Sequence, residues 1–156
     1  MKPQGKKQMQ LSKLNNNASV TFKYEIKREK AYLSENDKTV LIVDDEKLVI
    51  EICEMMLLQL GHKVFKANSG FEALKIFEDY KNQIDLVITD MYMPEMNGQE
   101  LADKLRKINH HVKVLLSSGA LPDLDEKEII NRGFNGVLRK PYSLTSLSEK
   151  MAEILN

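Results

Sequence analysis

The chain has little cysteine and no long hydrophobic run, and both absences narrow what it can be. A single cysteine, Cys53, among 156 residues excludes an internal disulfide framework and fits a reducing compartment. Its apolar, helically spaced neighbours make it a packing residue rather than a chemical one. No apolar stretch is long enough to span a bilayer. The opening Met1–Gln10 is basic and polar where a secretory signal needs an apolar core, so the expected location is cytoplasmic. Net charge is also missing, since 23 Lys and Arg balance 23 Asp and Glu. That balance hides an asymmetry: residues 1–38 hold nine basic against four acidic groups, and residues 39–156 hold 14 against 19. An acidic body lacks the clustered Lys and Arg that phosphate contacts need, so direct nucleic-acid binding is not expected.

What is present is organised around Ile84-Asp85-Leu86-Val87-Ile88-Thr89-Asp90-Met91-Tyr92-Met93-Pro94. Leu86 to Ile88 reads as a strand buried on both faces and ending at a carboxylate, Asp90. A lone acid at a strand end is ordinarily just solvated, so its weight depends on its neighbours. Residues 1–37 form a basic extension: 1–18 are aperiodic, rich in Lys, Gln and Asn, and read as disordered. Within 19–27, Val20, Phe22, Tyr24 and Ile26 alternate with polar residues as a half-buried strand does. Residues 34–38 read as a linker.

From Thr39 onward strands and helices alternate. Thr39 to Val43 is a strand ending in Asp44-Asp45-Glu46. Lys47 to Leu60 has helical spacing, with Leu48, Ile52, Met55 and Met56 taken as its inward face, and stops at Gly61. Lys63 to Ala67 is the second strand. Ser69 and Glu72 form a capping box that opens a helix through Ala73, Leu74 and Phe77. After the strand bearing Asp90, a helix runs from about Gly98 to Ile108. Val112–Ser117 is the fourth strand, Pro122–Asn131 a short helix and Gly136–Leu138 the fifth strand. A last helix is capped by Ser143 and buries Leu144, Leu147, Met151, Ile154 and Leu155. The layout is (βα)5, an α/β fold with a parallel sheet covered on both sides. There are no internal repeats.

Asp44 and Asp45 follow strand 1, Asp90 strand 3, Ser118 strand 4 and Lys140 strand 5. In a doubly wound sheet all of these reach the C-terminal edge, where such folds bind ligands. Three carboxylates there call for a hard divalent cation. Oxygen ligands suit Mg²⁺, with Mn²⁺ a substitute. An oriented carboxylate is a competent nucleophile towards phosphorus, while a cation and an ammonium group neutralise a transferring phosphoryl group. Asp90 is then the acceptor, Lys140 the charge clamp and Ser118 the movable hydroxyl.

Val43-Asp44-Asp45-Glu46, Asp90-Met91-Tyr92-Met93-Pro94-Glu95-Met96-Asn97-Gly98, Ser118-Gly119 and Lys140-Pro141 carry a resemblance. Residues 38–156 resemble the receiver domain of two-component response regulators. The resemblance implies a flavodoxin-like sheet of order 2-1-3-4-5. It implies phosphoryl transfer to Asp90 from a phosphohistidine on a sensor histidine kinase or a histidine phosphotransfer domain. It also implies Mg²⁺ held by Asp45, Asp90 and the Tyr92 backbone carbonyl, with Asp44 assisting through water. Such a domain is a regulatory phosphoacceptor and not an enzyme beyond its own phosphorylation and dephosphorylation. A homodimer through the face of the last two helices stays open, and no membrane contact is expected of the domain itself. Ser118 is preferred to Ser117 as the switch hydroxyl because Gly119 follows it. Val137 departs from the family, which often has an inward-swinging aromatic there, so that coupling is not expected. Val114–Gly119 and Asn131–Gly136 are most similar to receivers at the C-terminus of hybrid sensor histidine kinases, and 19–27 resembles the last strand of the kinase ATP-binding domain.

Competing classes are a receiver-like scaffold working without phosphorylation and a Mg²⁺ phosphohydrolase with an aspartyl-phosphate. The latter, as in haloacid-dehalogenase-like enzymes, has its acids two residues apart after strand 1, whereas Asp44 and Asp45 are adjacent. A flavin or nucleotide binder is disfavoured because the loop after strand 1 is acidic and lacks glycine.

Overall fold

A computed structural model describes residues 37–119 and 125–156. The readings made for 1–36, and for 120–124 ahead of the fourth helix, lie outside those residues. In chain order the described elements are β1 (Thr39–Val43), α1 (Lys47–Gln59), β2 (Lys63–Ala67), α2 (Gly70–Tyr80), β3 (Leu86–Asp90), α3 (Gly98–Ile108), β4 (Lys113–Ser118), α4 (Glu126–Asn131), β5 (Gly136–Arg139) and α5 (Leu144–Leu155). The strands pair in parallel in the order β2-β1-β3-β4-β5, as expected. Strands β4 and β5 run one residue further than their apolar runs, to Ser118 and Arg139.

Period two divides the sheet between two apolar layers. Leu41, Val43, Val87, Val114, Leu116 and Val137 face one layer, where α2 brings Phe77, α3 Leu101 and Leu105, and α4 Ile129. Val40, Ile42, Leu86, Ile88, Leu115 and Leu138 face the other, with Ile50, Cys53 and Leu57 of α1 and Leu147 and Met151 of α5. Burial of strand residues on both sides explains why these strands read as continuous apolar runs.

Helix α1 corrects one expectation. Its buried residues are Ile50, Cys53 and Leu57, whereas Leu48 is 66% exposed, Ile52 46% and Met55 70%. Met56 is only half-buried. The helix is apolar nearly all round, so helical spacing fits two faces equally well, and the packing against β1 selects the other one. Cys53 is a core residue, as expected, and burial pushes its thiol pKa up. In α5, Leu147 and Met151 are buried, while Leu144, Ile154 and Leu155 are only half-buried.

The caps differ in detail from the sequence reading. Ser69 Oγ accepts from the Glu72 N–H at 3.2 Å, but the Glu72 carboxylate accepts from the Asn68 N–H at 2.7 Å, one residue earlier than a reciprocal box requires. Full capping boxes occur instead at Asn97 with Glu100 and at Ser143 with Ser146. The described part of the fourth helix, α4, begins at Glu126 with no side-chain cap from Asp125.

Where the chain enters β1, two side chains hold the strand. Asp85 Oδ2 accepts from the Thr39 N–H at 2.8 Å, and His62 Nδ1 accepts from the Lys38 N–H at 3.3 Å. Burial pulls the His62 pKa below its usual value, with Lys38 adding to the effect and Asp37 and Asp85 opposing it. A folded pKa lying below the unfolded one means stability that is complete above pH about 6.5 and lost as pH falls below it. Protonated Nδ1 cannot accept the Lys38 N–H. Lowering pH from 7.5 to 5.5 should therefore weaken the domain by at most about 1 kcal/mol at this point, the net worth of one hydrogen bond. His62→Asn keeps an acceptor without a proton, so its urea midpoint should fall less over that range. Equal pH slopes for the two proteins would remove His62 from the account.

Candidate functional site

Strand period places the site side chains. Ile42, Ile88 and Leu138 all enter the layer shared with α1 and α5, and Ile42 pairs with Ile88 across β1 and β3. Two residues further on stand Asp44, Asp90 and Lys140. Alternation thus sends two carboxylates and an ammonium to one side of the sheet at one level. Lys140 Nζ donates to Asp44 Oδ2 at 2.7 Å and to Asp90 Oδ1 at 2.8 Å.

Every oxygen of the two carboxylates has a donor. Asp44 Oδ1 accepts from the Glu46 N–H at 2.9 Å, and Asp90 Oδ2 accepts from the Tyr92 N–H at 2.7 Å. Asp44 is only 3% exposed, and a carboxylate that deep needs a charge partner to stay ionised. Burial alone would favour the neutral amine of Lys140, but the hydrogen bonds and charges of Asp44 and Asp90 outweigh it and raise its pKa. Lys140 is a cation throughout the neutral range.

The other expected residues lie around this core. Asp45 is exposed at the end of β1, and Tyr92 is exposed at the rim. Among the described residues no three His, Cys, Asp or Glu side chains converge as a metal cluster. Two carboxylates converge on Lys140 instead. Both Ser117 and Ser118 are buried. Ser117 is registered with Asp90 and follows Leu115 towards the α1–α5 layer, and Ser118 is the last residue of β4. The Ser118 carbonyl accepts from the Lys140 N–H at 3.0 Å, which ties the ends of β4 and β5 together. Val137 is buried in the α2–α3–α4 layer.

Three features of the site were missed in the sequence. Met91, Met93 and Met96 are all buried and root the loop after Asp90 in the core, where the sequence suggested only a turn. Gly98 packs directly on the Asp90 carbonyl: a Cβ at that position would stand 2.2 Å from the Asp90 oxygen. Tyr142 packs against the α1–α5 layer with its hydroxyl against Cys53 and Ser117, and burial first, then the Cys53 contact, pushes its pKa up. Only the spacing of the methionines was a usable signal.

The sheet order β2-β1-β3-β4-β5 thus carries an acid pair, a further acid and a lysine at one edge. The response regulator receiver domain model matches residues 40–152. The chain belongs to that family.

This receiver is 37% identical over 131 residues to the sensor kinase CckA of Brucella abortus, covering 84% of this chain and 14% of that protein. It is 32% identical over 124 residues to the autoinducer 1 sensor kinase/phosphatase LuxN of Vibrio campbellii, covering 80% and 14%. The chain thus spans about a seventh of the length of these relatives. Among solved structures it is similar to a receiver domain protein from Clostridium thermocellum, with a TM-score of 0.71 at 33% identity over 76% of this chain and 94% of that one. It is also similar to the receiver domain of the hybrid histidine kinase CckA, with a TM-score of 0.64 at 30% identity over 76% and 99%. The receiver is a two-component signalling domain, and its sequence is akin to receivers carried by hybrid histidine kinases. No helix among the described residues is long and apolar enough to cross a membrane.

Proposed function

We propose that this receiver accepts a phosphoryl group on Asp90 from a phosphohistidine of a sensor histidine kinase or histidine phosphotransfer domain, in the cytoplasm, and that it belongs to a hybrid kinase relay. The supporting observation is the convergence of Asp44 and Asp90 on Lys140 at the C-terminal sheet edge. An Asp90 oxygen bonds to phosphorus as the phosphorus–imidazole bond breaks, and the released imidazole takes up a proton. The Tyr92 N–H orients the acceptor carboxylate. The Lys140 ammonium, already a partner of Asp90, follows the charge onto the phosphoryl oxygens, and its flexible stem suits that movement. Ser118 supplies the hydroxyl that reads the product, and with Val137 in place of an aromatic the response is carried through Gly119 towards α4. The domain works as a regulatory acceptor and turns over no external substrate.

The donor set fits a hard divalent ion. Two buried or half-buried carboxylates already hold a cation within 2.8 Å, and the remaining candidates are oxygen donors. Asp45, Asp90 and the Tyr92 carbonyl would hold Mg²⁺ or Mn²⁺, with Asp44 assisting through water. When bound, the ion would draw negative charge from the transferring phosphoryl group. Asp45→Ala should lower Mg²⁺ affinity by a few kcal/mol at most, because water replaces a lost ligand. Unchanged affinity in a Mg²⁺ titration of that variant would take Asp45 out of the site.

Helix α1 supports the choice of partner. It starts at Lys47, just after the acid pair, and presents Leu48, Ile52, Met55 and Leu58 to solvent. Such an apolar stripe suits the helical surface of a phosphodonor seated beside Asp90. The test is incubation with a phosphohistidine donor and Mg²⁺ followed by mapping of the acyl phosphate. One phosphoryl group per chain on Asp90 is expected. Sustained hydrolysis of a phosphomonoester would favour a phosphohydrolase, and absence of any label would favour a scaffold.

A further inference from the structure

The connection that carries Lys140 is short and fixed at both ends. Strand β5 ends at Arg139, and α5 begins at Leu144 behind its N-cap Ser143. Lys140 is tied to β4 by its N–H, which donates to the Ser118 carbonyl at 3.0 Å. Ser143 is tied to α5, its Oγ accepting from the Ser146 N–H at 3.1 Å. Between them Pro141 is exposed and Tyr142 packs into the α1–α5 layer. The lysine ammonium and the tyrosine ring thus belong to one short segment, residues 140–142, and the depth of the ring sets where that segment lies.

The seat of that ring is polar within a largely apolar layer. Cys53 is fully buried on the inward face of α1, and Ser117 is 3% exposed near the end of β4. The Ser117 Oγ is enclosed and makes no hydrogen bond of ordinary geometry among the described residues. An enclosed hydroxyl is costly unless it has a partner. The group against it is the Tyr142 hydroxyl, which also meets Cys53. A hydroxyl donates once and accepts twice, so this one can serve both. The two sides of the seat belong to elements next to the carboxylates: Ser117 is registered with Asp90, and α1 starts at Lys47, just after Asp44.

We propose that Tyr142 is a positioning residue for Lys140, its hydroxyl set between Ser117 and Cys53 so that residues 140–142 deliver the ammonium to Asp44 and Asp90 together. One phenolic hydroxyl then joins β4 and α1 to the connection that bears Lys140. A phenylalanine fills the same space but leaves the Ser117 hydroxyl without that partner. Lys140 makes its 2.7 and 2.8 Å bonds from one ammonium to two carboxylates, so a small displacement of its backbone lengthens at least one of them. The effect on phosphotransfer rests on the proposed function, whereas the placement of Lys140 does not.

Proton exchange of the Lys140 ammonium, followed by NMR on the full chain in mildly acidic buffer without metal or phosphodonor, tests this. The signal is assigned by its loss in Lys140→Arg. In Tyr142→Phe and in Ser117→Ala the ammonium protons should exchange roughly two- to tenfold faster than in wild type, the range that one lost hydrogen bond commands. The double variant should exchange no faster than Tyr142→Phe, because both changes act on one contact. Leu105→Ala, in the opposite layer, should lower the urea midpoint and leave the Lys140 exchange at its wild-type rate, which separates positioning from general loosening. A wild-type exchange rate in Tyr142→Phe, or an equal rise in Leu105→Ala, overturns the proposal. With a phosphohistidine donor and Mg²⁺, the maximal labelling rate of Tyr142→Phe should fall by the same factor, while the donor concentration giving half that rate does not change. Full-rate labelling of Tyr142→Phe would overturn its role in transfer. Wild type that takes no label at all would instead strike the proposed function, and the ammonium exchange still decides the placement of Lys140.

Discussion

Asp90→Asn should incorporate no phosphoryl group from a phosphohistidine donor, while unfolding with the cooperativity of the wild type. The expected loss is complete because the amide oxygen is a poor nucleophile towards phosphorus, and asparagine carries no charge to replace. The fold should survive. Asn Oδ1 can still accept from either the Tyr92 N–H or Lys140, which now make bonds of 2.7 and 2.8 Å to separate oxygens of Asp90. Lys140 also keeps its 2.7 Å bond to Asp44, so the buried Asp44 carboxylate is not left uncompensated. With Asp44 still paired to Lys140, the urea midpoint should stay near that of wild type. Labelling by intact-mass measurement decides the matter. A full mole of phosphoryl per mole of Asp90→Asn would move the acceptor to another residue.

Much of this arrangement was legible because it follows from period two. The pairing of Ile42 with Ile88 is what an apolar alternation fixes, and once that is set Asp44 and Asp90 must share a side. Lys140 follows Leu138 by the same rule. What periodicity could not provide was the partner of each charge. Asp44, whose expected role is to assist a metal ion through water, also accepts a 2.7 Å hydrogen bond from the Lys140 ammonium. That depends on the reach of a four-carbon stem and on the depth of Asp44, neither of which a sequence pattern carries. Helix α1 marks a second limit. Its residues are apolar on more than one face, so the pattern has no single phase, and the buried set Ile50, Cys53 and Leu57 is chosen by the sheet it lands on. The apolar surplus leaves Leu48, Ile52, Met55 and Leu58 exposed. Composition alone assigns such residues to the core, because Met55 and Met56 fit a core equally well.

Gly98→Ala should be among the most damaging single substitutions in the domain, by about 3 kcal/mol. Intrinsic helix propensity argues the other way, since Ala in place of Gly in a helix is worth about 1 kcal/mol where there is room. Here there is none. The added Cβ would stand 2.2 Å from the Asp90 carbonyl oxygen, 3.1 Å from its carbon and 3.2 Å from the Met91 Cα. All three atoms are backbone, so no rotamer change relieves the contact. The Gly98 N–H also donates to the Met91 carbonyl at 2.9 Å, and backing the helix away would stretch that bond. Either α3 shifts, loosening Leu101 and Leu105 in the core, or the Asp90–Met91 peptide turns and carries the acceptor carboxylate off Lys140. The two routes separate by measurement. Displacement of α3 lowers the urea midpoint and leaves the phosphorylation rate of the folded fraction near that of wild type. Turning of the peptide lowers both, and because Asp90 adjoins the contact, both are expected to fall. A midpoint and a labelling rate equal to those of wild type would mean that the close approach of Gly98 to Asp90 is not a constraint on this site.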